Sequence, residues 1–173
     1  MKGRRFSRIG ALISLGVAVW LFLTALGQAD EVRYRGRTFP EWRSALKDRS
    51  PEVRAGAAEA LGQFGPSAAQ VLSASLADPE LRVRGAAAEA LRSIGPAAVP
   101  SLVRALESQD IRVRAKAATV LGAIGPAARE AVPALVKATK DPSARVRELA
   151  VDALNRITTE GVGSYTIFPL TCH

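Results

Sequence analysis

The fold of this chain is predicted by one stretch, residues 83–96, which reads VRGAAAEALRSIGP. Similar stretches begin at Val53, Val113 and Val146. The first three copies start 30 residues apart, and the fourth starts 33 residues after the third. A fixed period in this range is typical of a solenoid, in which each unit buries its apolar face only against its neighbours.

Each copy of the stretch predicts an amphipathic helix. Apolar residues fall at offsets 0, 4, 7, 8 and 11 from the first valine, as in Val83, Ala87, Ala90, Leu91 and Ile94. At about 100° per residue, these offsets form one stripe along a helix. Glycine and proline follow in the first three copies. Glycine there can adopt the left-handed cap conformation, and proline prevents the helix from continuing.

A second helix is predicted before each copy of the stretch. Leucine recurs three residues after the first apolar position of this helix in three units, and Trp42 takes that position in the first unit. Proline occupies the first turn in three of the four units, where its missing N–H is tolerated. We therefore predict an all-α fold of four helical hairpins with Trp42 in the core. The predicted units are residues 38–64, 66–94, 96–124 and 126–157.

The two ends of the chain do not fit the repeat. Residues 1–8 contain four basic and no acidic side chains, and residues 9–26 contain no charge. This order is typical of a secretory signal, and an apolar stretch of this length is also near the minimum for a membrane span. We predict that residues 1–29 are a cleaved signal peptide or a retained N-terminal anchor helix. We further predict that residues 30–37 are a linker and residues 158–173 an irregular tail.

The basic residues before the apolar stretch predict that the repeats lie outside the cytoplasm. The protein would then be secreted, periplasmic or tethered to the cell envelope through residues 9–26.

Composition argues against several functions. The net charge is +8, but without residues 1–27 there are 20 basic and 16 acidic side chains, a net charge of +4 that is too small to indicate a nucleic-acid partner. Cys172 and His173 are the single cysteine and histidine, so the repeats carry no thiolate or imidazole ligand. No glycine-rich phosphate loop and no nucleophile–base pair is visible. We therefore expect no enzymatic activity, no cofactor and no metal site.

Paired helices with proline in the first, aspartate at the turn and Val-Arg opening the second resemble HEAT repeats. The period and the ending Ala-x-x-Ala-Leu-x-x-Ile-Gly-Pro are similar to the short bacterial form, the PBS-lyase HEAT-like repeat, over residues 38–157. The resemblance implies an armadillo-type α-solenoid and a ladder of turn aspartates and helix arginines that ties the repeats together. The implied pairs are Asp48 and Arg54, Asp78 and Arg84, Asp110 and Arg114 (with Ser108 at the aspartate position), and Asp141 and Arg147.

In HEAT-like solenoids the second helices usually line the concave face. Offsets 2, 6 and 9 of each copy lie opposite the apolar stripe and combine small residues with a few polar ones. The polar candidates for a binding face are Glu59, Glu89, Arg92, Thr119, Glu148, Asp152 and Asn155. A shallow groove of this kind suits a helix or an extended segment of another protein.

Two functions remain open from the sequence. The first is a monomeric, non-catalytic scaffold that binds another protein through these residues. The alternative is a module like the PBS lyases, which would hold a small apolar ligand or chromophore in the concave face.

Overall fold

The computed structural model describes residues 32–159, which contain a short β-hairpin, eight α-helices and four short 3₁₀ helices. The predicted leader, residues 1–29, lies outside the described residues. Residues 160–173 of the predicted tail also lie outside them. Among residues 32–159, no helix is both long and apolar enough to cross a membrane.

The eight helices form four consecutive pairs, which confirms the prediction of an all-α solenoid. The first helices of the pairs are α1 (Phe39–Ala45), α3 (Ala69–Ala74), α5 (Val99–Ala105) and α7 (Val132–Ala138). The second helices are α2 (Pro51–Gly62), α4 (Leu81–Ile94), α6 (Ile111–Ile124) and α8 (Ala144–Thr159).

The Gly-Pro turns end the second helices of the first three units. Gly65, Gly95 and Gly125 have φ values of 66°, 70° and 72°, a region that side chains with a Cβ rarely adopt. Each glycine starts a short 3₁₀ helix, which spans Gly65–Ala68, Gly95–Ala98 and Gly125–Ala131. The three extra residues of the fourth unit therefore lengthen the last 3₁₀ segment and leave the stack intact.

The core consists of one leucine row in each helix layer and of alanines between them. Leucine side chains with 0% exposure recur at equivalent places in successive units, namely Leu61, Leu72, Leu91, Leu102, Leu121 and Leu135. Trp42 is half-buried and packs against this core. Val53 departs from the predicted stripe, because it is 39% exposed whereas Val83 is 1% exposed. Val53 lies in the first unit, and none of the described residues forms a unit before it.

The segment predicted as a linker contains a β-hairpin. Strands β1 (Arg33–Tyr34) and β2 (Arg37–Thr38) pair antiparallel around Arg35 and Gly36, whose φ values are 49° and 77°. Two consecutive positive φ values are typical of a two-residue hairpin turn. The indole Nε1 of Trp42 donates to the Tyr34 carbonyl oxygen at 2.9 Å and joins the hairpin to α1. The hairpin thus covers the start of the first unit.

The second helices do not pack equally against one another. Contacts between α2 and α4, and between α6 and α8, are much more extensive than those between α4 and α6. At the junction between the second and third units the first helices α3 and α5 pack against each other instead, so this junction is made through the other helix layer.

Candidate functional site

The recurring arginine of each second helix is tied to its own unit by the backbone. One guanidinium nitrogen, Nη1, donates to two consecutive carbonyl oxygens of the turn before the helix. For Arg54 these are the oxygens of Asp48 and Arg49, at 3.0 and 3.1 Å. Arg84, Arg114 and Arg147 repeat the pattern within their own units. The arginine therefore closes the turn between the two helices of a unit.

The same arginine reaches the carboxylate of the next unit. Arg54 donates through Nε and Nη2 to the two oxygens of Asp78 at 2.8 and 2.9 Å. Arg114 binds Asp141 in the same way at 2.7 and 2.9 Å. We call each bidentate pair a rung. The ion pairs thus join consecutive units. The resemblance instead implied the pairs Asp48 with Arg54 and Asp141 with Arg147, whose members belong to the same unit.

The rungs are shielded and shift the pKa of their carboxyl groups. The Asp141 side chain is 8% exposed and the Arg114 side chain 13% exposed. Hydrogen bonds from Arg114 lower the pKa of Asp141, and those from Arg54 lower the pKa of Asp78. The carboxylates are therefore held in the charged form for structure, because bidentate donors favour that form.

The middle junction has no rung. Ser108 occupies the aspartate position that Arg84 would reach, and its hydroxyl accepts the backbone N–H of Asp110 at 3.2 Å. Asp110 was predicted to replace the missing carboxylate beside Arg114, but its carboxylate instead binds Arg112 and caps α6. Asp110 lies at the first turn of the helix, where backbone N–H groups and the adjacent guanidinium are its nearest donors.

Four of the five glycines and alanines at the offsets predicted for the binding face are buried or lie close to the next unit, and Gly85 is the exception. Ala55 and Ala115 are 2% and 9% exposed. A Cβ on Gly62 would lie 3.0 Å from Ala90 Cβ, and a Cβ on Gly122 would lie 2.9 Å from Ala153 Cα. These positions in the first and third units let neighbouring second helices approach closely, so they belong to the packing between units.

The remaining candidates lie on the exposed side of the second helices, which we call the second-helix face. Glu59, Gly85 and Glu89 line one groove of about 480 Å³ across α2 and α4. Glu59 and Glu89 occupy the same offset in adjacent units, so the structure brings two exposed carboxylates to one groove. Arg82 and Ser93 also line it. These two residues were not predicted, although Arg82 directly precedes the recurring Val-Arg pair.

The other predicted residues of this face have local partners. Glu89 forms an ion pair with Arg92, which lowers the pKa of the Glu89 carboxyl. Asp152 pairs with Arg156 at 3.1 Å. Thr119 donates its hydroxyl to the Ala115 carbonyl at 2.9 Å, while Glu148 and Asn155 are exposed. The third and fourth units thus do not add carboxylates to the groove between α2 and α4.

Within residues 32–159, no group of three or more histidine, cysteine, aspartate or glutamate side chains is arranged to hold a metal ion. The polar chemistry of the described units therefore consists of rungs, caps and exposed ion pairs.

This arrangement defines a class: an α-solenoid of stacked helical hairpins in which arginine rungs join the first unit to the second and the third to the fourth. A family model described as HEAT repeats matches residues 21–92, 39–108 and 99–164. The chain belongs to the HEAT-repeat family. No curated protein matches it.

Three solved structures illustrate what the chain is similar to. The complex of CpcE and CpcF of phycocyanin lyase from Nostoc is 24% identical with a TM-score of 0.50, and the match covers 69% of this chain and 77% of that chain. An engineered protein is 25% identical with a TM-score of 0.42, over 69% of this chain and 62% of that one. A designed armadillo repeat protein in complex with the peptide (KR)4 is 21% identical with a TM-score of 0.45, over 67% and 62%. At these levels the likeness concerns the fold alone.

Proposed function

We propose that this chain is a non-catalytic scaffold that binds another protein through the second-helix face. The groove across α2 and α4, with Glu59 and Glu89 on its wall, is the observation that supports this proposal most directly. Repeat solenoids offer such extended faces to helices and extended segments of partners. The protein acts as a monomer without cofactor in this proposal.

The charges of the groove indicate the chemistry of the partner segment. Glu59 and Glu89 are both exposed, and Gly85 leaves the space between their helices open. A partner segment with a basic side chain would bind Glu59 directly and would compete with Arg92 for Glu89. The rungs contribute no such contact, because their carboxylates are already bound on both oxygens.

The alternative from the sequence is a small apolar ligand or chromophore in the same face. The groove is lined by Glu59, Arg82, Glu89 and Ser93 as well as by small residues. An apolar ligand would leave these polar groups without partners, which costs free energy. The charged lining therefore favours a polar protein segment.

Site-specific photo-crosslinking in the native cell tests the proposal. A photoreactive residue at position 93, which lines the same groove, should give a discrete adduct with a protein, and one at the exposed position 130 should not. Glu59→Lys should reduce the yield at position 93 several-fold, whereas Glu130→Lys should leave it unchanged. Equal adducts from both positions, or a chromophore that co-purifies without any protein adduct, would contradict the proposal.

We also propose that the protein is exported and is either released by cleavage or tethered by residues 9–26. The support is the basic start and the uncharged stretch of the sequence. Cell fractionation with N-terminal sequencing should place the repeats in the cell envelope or outside the cell. A start at Gln28 or Asp30 would indicate cleavage, and an intact leader in the membrane would indicate an anchor. Recovery in the cytoplasm with an intact leader would rule out export.

A further inference from the structure

A second groove lies in the layer of first helices, away from the second-helix face. It separates α1 from α3 and has a volume of about 1010 Å³. Phe39, Leu46 and Val71 line it, and each of these side chains is only half-buried. The groove therefore exposes apolar surface from two adjacent units at one place.

Two cations flank this apolar surface. Arg43 and Lys47 line the groove and are exposed, and neither forms an ion pair with any residue in the range 32–159. The one carboxylate in the lining is that of Asp78, which is already bound on both oxygens by Arg54. The groove is thus cationic at its wall and apolar at its floor.

The same place in the last two units is built differently. There Lys137 Nζ donates to Glu107 Oε1 at 3.1 Å and bridges the space between α5 and α7, where the groove is about 400 Å³. The equivalent positions in the first two units are Lys47 instead of Glu107 and Ala74 instead of Lys137. Alanine at position 74 removes the bridge, and lysine at position 47 leaves a cation without an ion pair at the groove.

We propose that the groove between α1 and α3 binds a short acidic segment of a partner protein. One large apolar side chain of that segment would pack on Phe39, Leu46 and Val71, and flanking carboxylates would bind Arg43 and Lys47. A helix of seven residues is about 10 Å long, which accommodates two turns of a helical segment or about three extended residues.

Charge argues against residues 1–8 and 160–173 as the occupant. Residues 1–8 carry four basic side chains and no acidic one, and residues 160–173 carry a single acidic residue, Glu160. The groove carries positive charge, whereas the second-helix face carries the negative side chains of Glu59 and Glu89 and is proposed to bind a basic segment. The two surfaces would therefore bind different segments, and each can be tested without the other.

Fluorescence anisotropy with two defined peptides tests this site on the full-length chain. One labelled peptide combines glutamate with leucine and phenylalanine, and the other has glutamine at every glutamate position. The acidic peptide should bind at least about tenfold more tightly than its glutamine counterpart, and added salt should weaken it. The double variant Arg43→Glu/Lys47→Glu should lose about tenfold or more in affinity. Lys140→Glu, the same change at the equivalent position of the fourth unit, should have no effect.

Several results would overturn the proposal. The first three are absence of binding, equal binding of both peptides, and an unchanged affinity of the double variant. The fourth is an equal loss of affinity with Lys140→Glu, which would show that the net charge of the protein alone determines binding. Anionic phosphatidylglycerol vesicles are the second probe. Binding of vesicles through Arg43 and Lys47 without binding of the acidic peptide would assign the groove to a lipid surface instead. Circular dichroism of each variant controls for loss of folding.

Discussion

At the scale of single residues, the turn side chain before each second helix has two roles. Asp48, Asp78 and Asp141 accept the backbone N–H two residues further on, at 2.8 to 2.9 Å, and so stabilise the turn. Asp78 and Asp141 also bind an arginine from the preceding unit. Ser108 performs only the first role, since its hydroxyl accepts the N–H of Asp110 but carries no charge. The turn is thus retained where the rung is lost.

Asp141→Asn should lower the free energy of unfolding by about 1–2 kcal/mol. The amide keeps the shape of the side chain but removes the charge that faces Arg114, and a hydrogen bond between charged groups is worth more than one between neutral groups. The midpoint and slope of urea denaturation measure the change. Asp152→Asn is the matched control, because Asp152 and Arg156 are more than half exposed. Its effect should be below about 0.5 kcal/mol. Equal losses in the two variants would contradict a structural role for the rung.

At the scale of helices, glycine sets the distance between second helices. Gly62 and Gly122 occupy the ninth position after the opening valine, where a Cβ would meet Ala90 and Ala153 of the next unit. The second unit has Arg92 at this position, and α4 packs less extensively on α6 than α2 packs on α4. Packing between neighbouring units thus depends on one residue in each second helix.

Two glycine-to-alanine substitutions should change stability in opposite directions. Gly122→Ala places a Cβ 2.9 Å from the Ala153 backbone, and the shift it forces should cost about 1–2 kcal/mol. Gly85→Ala meets nothing within 4 Å, so the higher helix propensity of alanine should stabilise the protein by about 0.5–1 kcal/mol. Thermal unfolding of the two variants beside the wild type measures both effects. Stabilisation by Gly122→Ala would show that α6 and α8 are less tightly packed than the structure indicates.

At the scale of the whole stack, three differences coincide between the second and third units. The rung is absent, Arg92 replaces the glycine of the close approach, and contacts between α4 and α6 are fewer. The first and last junctions are therefore packed mainly through the second helices, whereas the middle junction is packed through both helix layers.

Ser108→Asp should restore the missing rung. The new carboxylate would keep the hydrogen bond to the Asp110 N–H, as the aspartates of the other units do, and would face Arg84. We expect a gain of about 1 kcal/mol in unfolding free energy and slower amide exchange in α4 and α6. The substitution should have no such effect in an Arg84→Ala background. A gain of the same size in that background would assign it to the turn alone.

The sequence predicts what depends on neighbours along the chain. The Val-Arg phrase, the Gly-Pro ending and the leucine positions identify four hairpins, because helix periodicity and turn chemistry are local. The hairpin around Arg35 and Gly36 was not predicted, since its two-residue strands are too short to show alternation.

Contacts between units could not be predicted from one unit. A single helix places Ala55 and Gly62 opposite its apolar stripe, yet the next unit covers them from the side. Arg54 could likewise have paired with Asp48 or with Asp78, and only the stacking of the units selects Asp78. The groove between α1 and α3 also depends on two units, because Lys47 and Ala74 lie on different hairpins.

The alternation of extensive and sparse contacts between second helices also bears on how a long partner of the proposed kind would lie on the protein. Glu59 and Glu89 belong to one closely packed pair of helices, and Thr119 and Asp152 to another. Contacts between second helices are fewer across the middle junction than within each pair. A partner with evenly repeated side chains would match one pair and lose register at the next. A protein partner of the kind proposed above would therefore fit better with two short motifs on a linker than with one regular repeat.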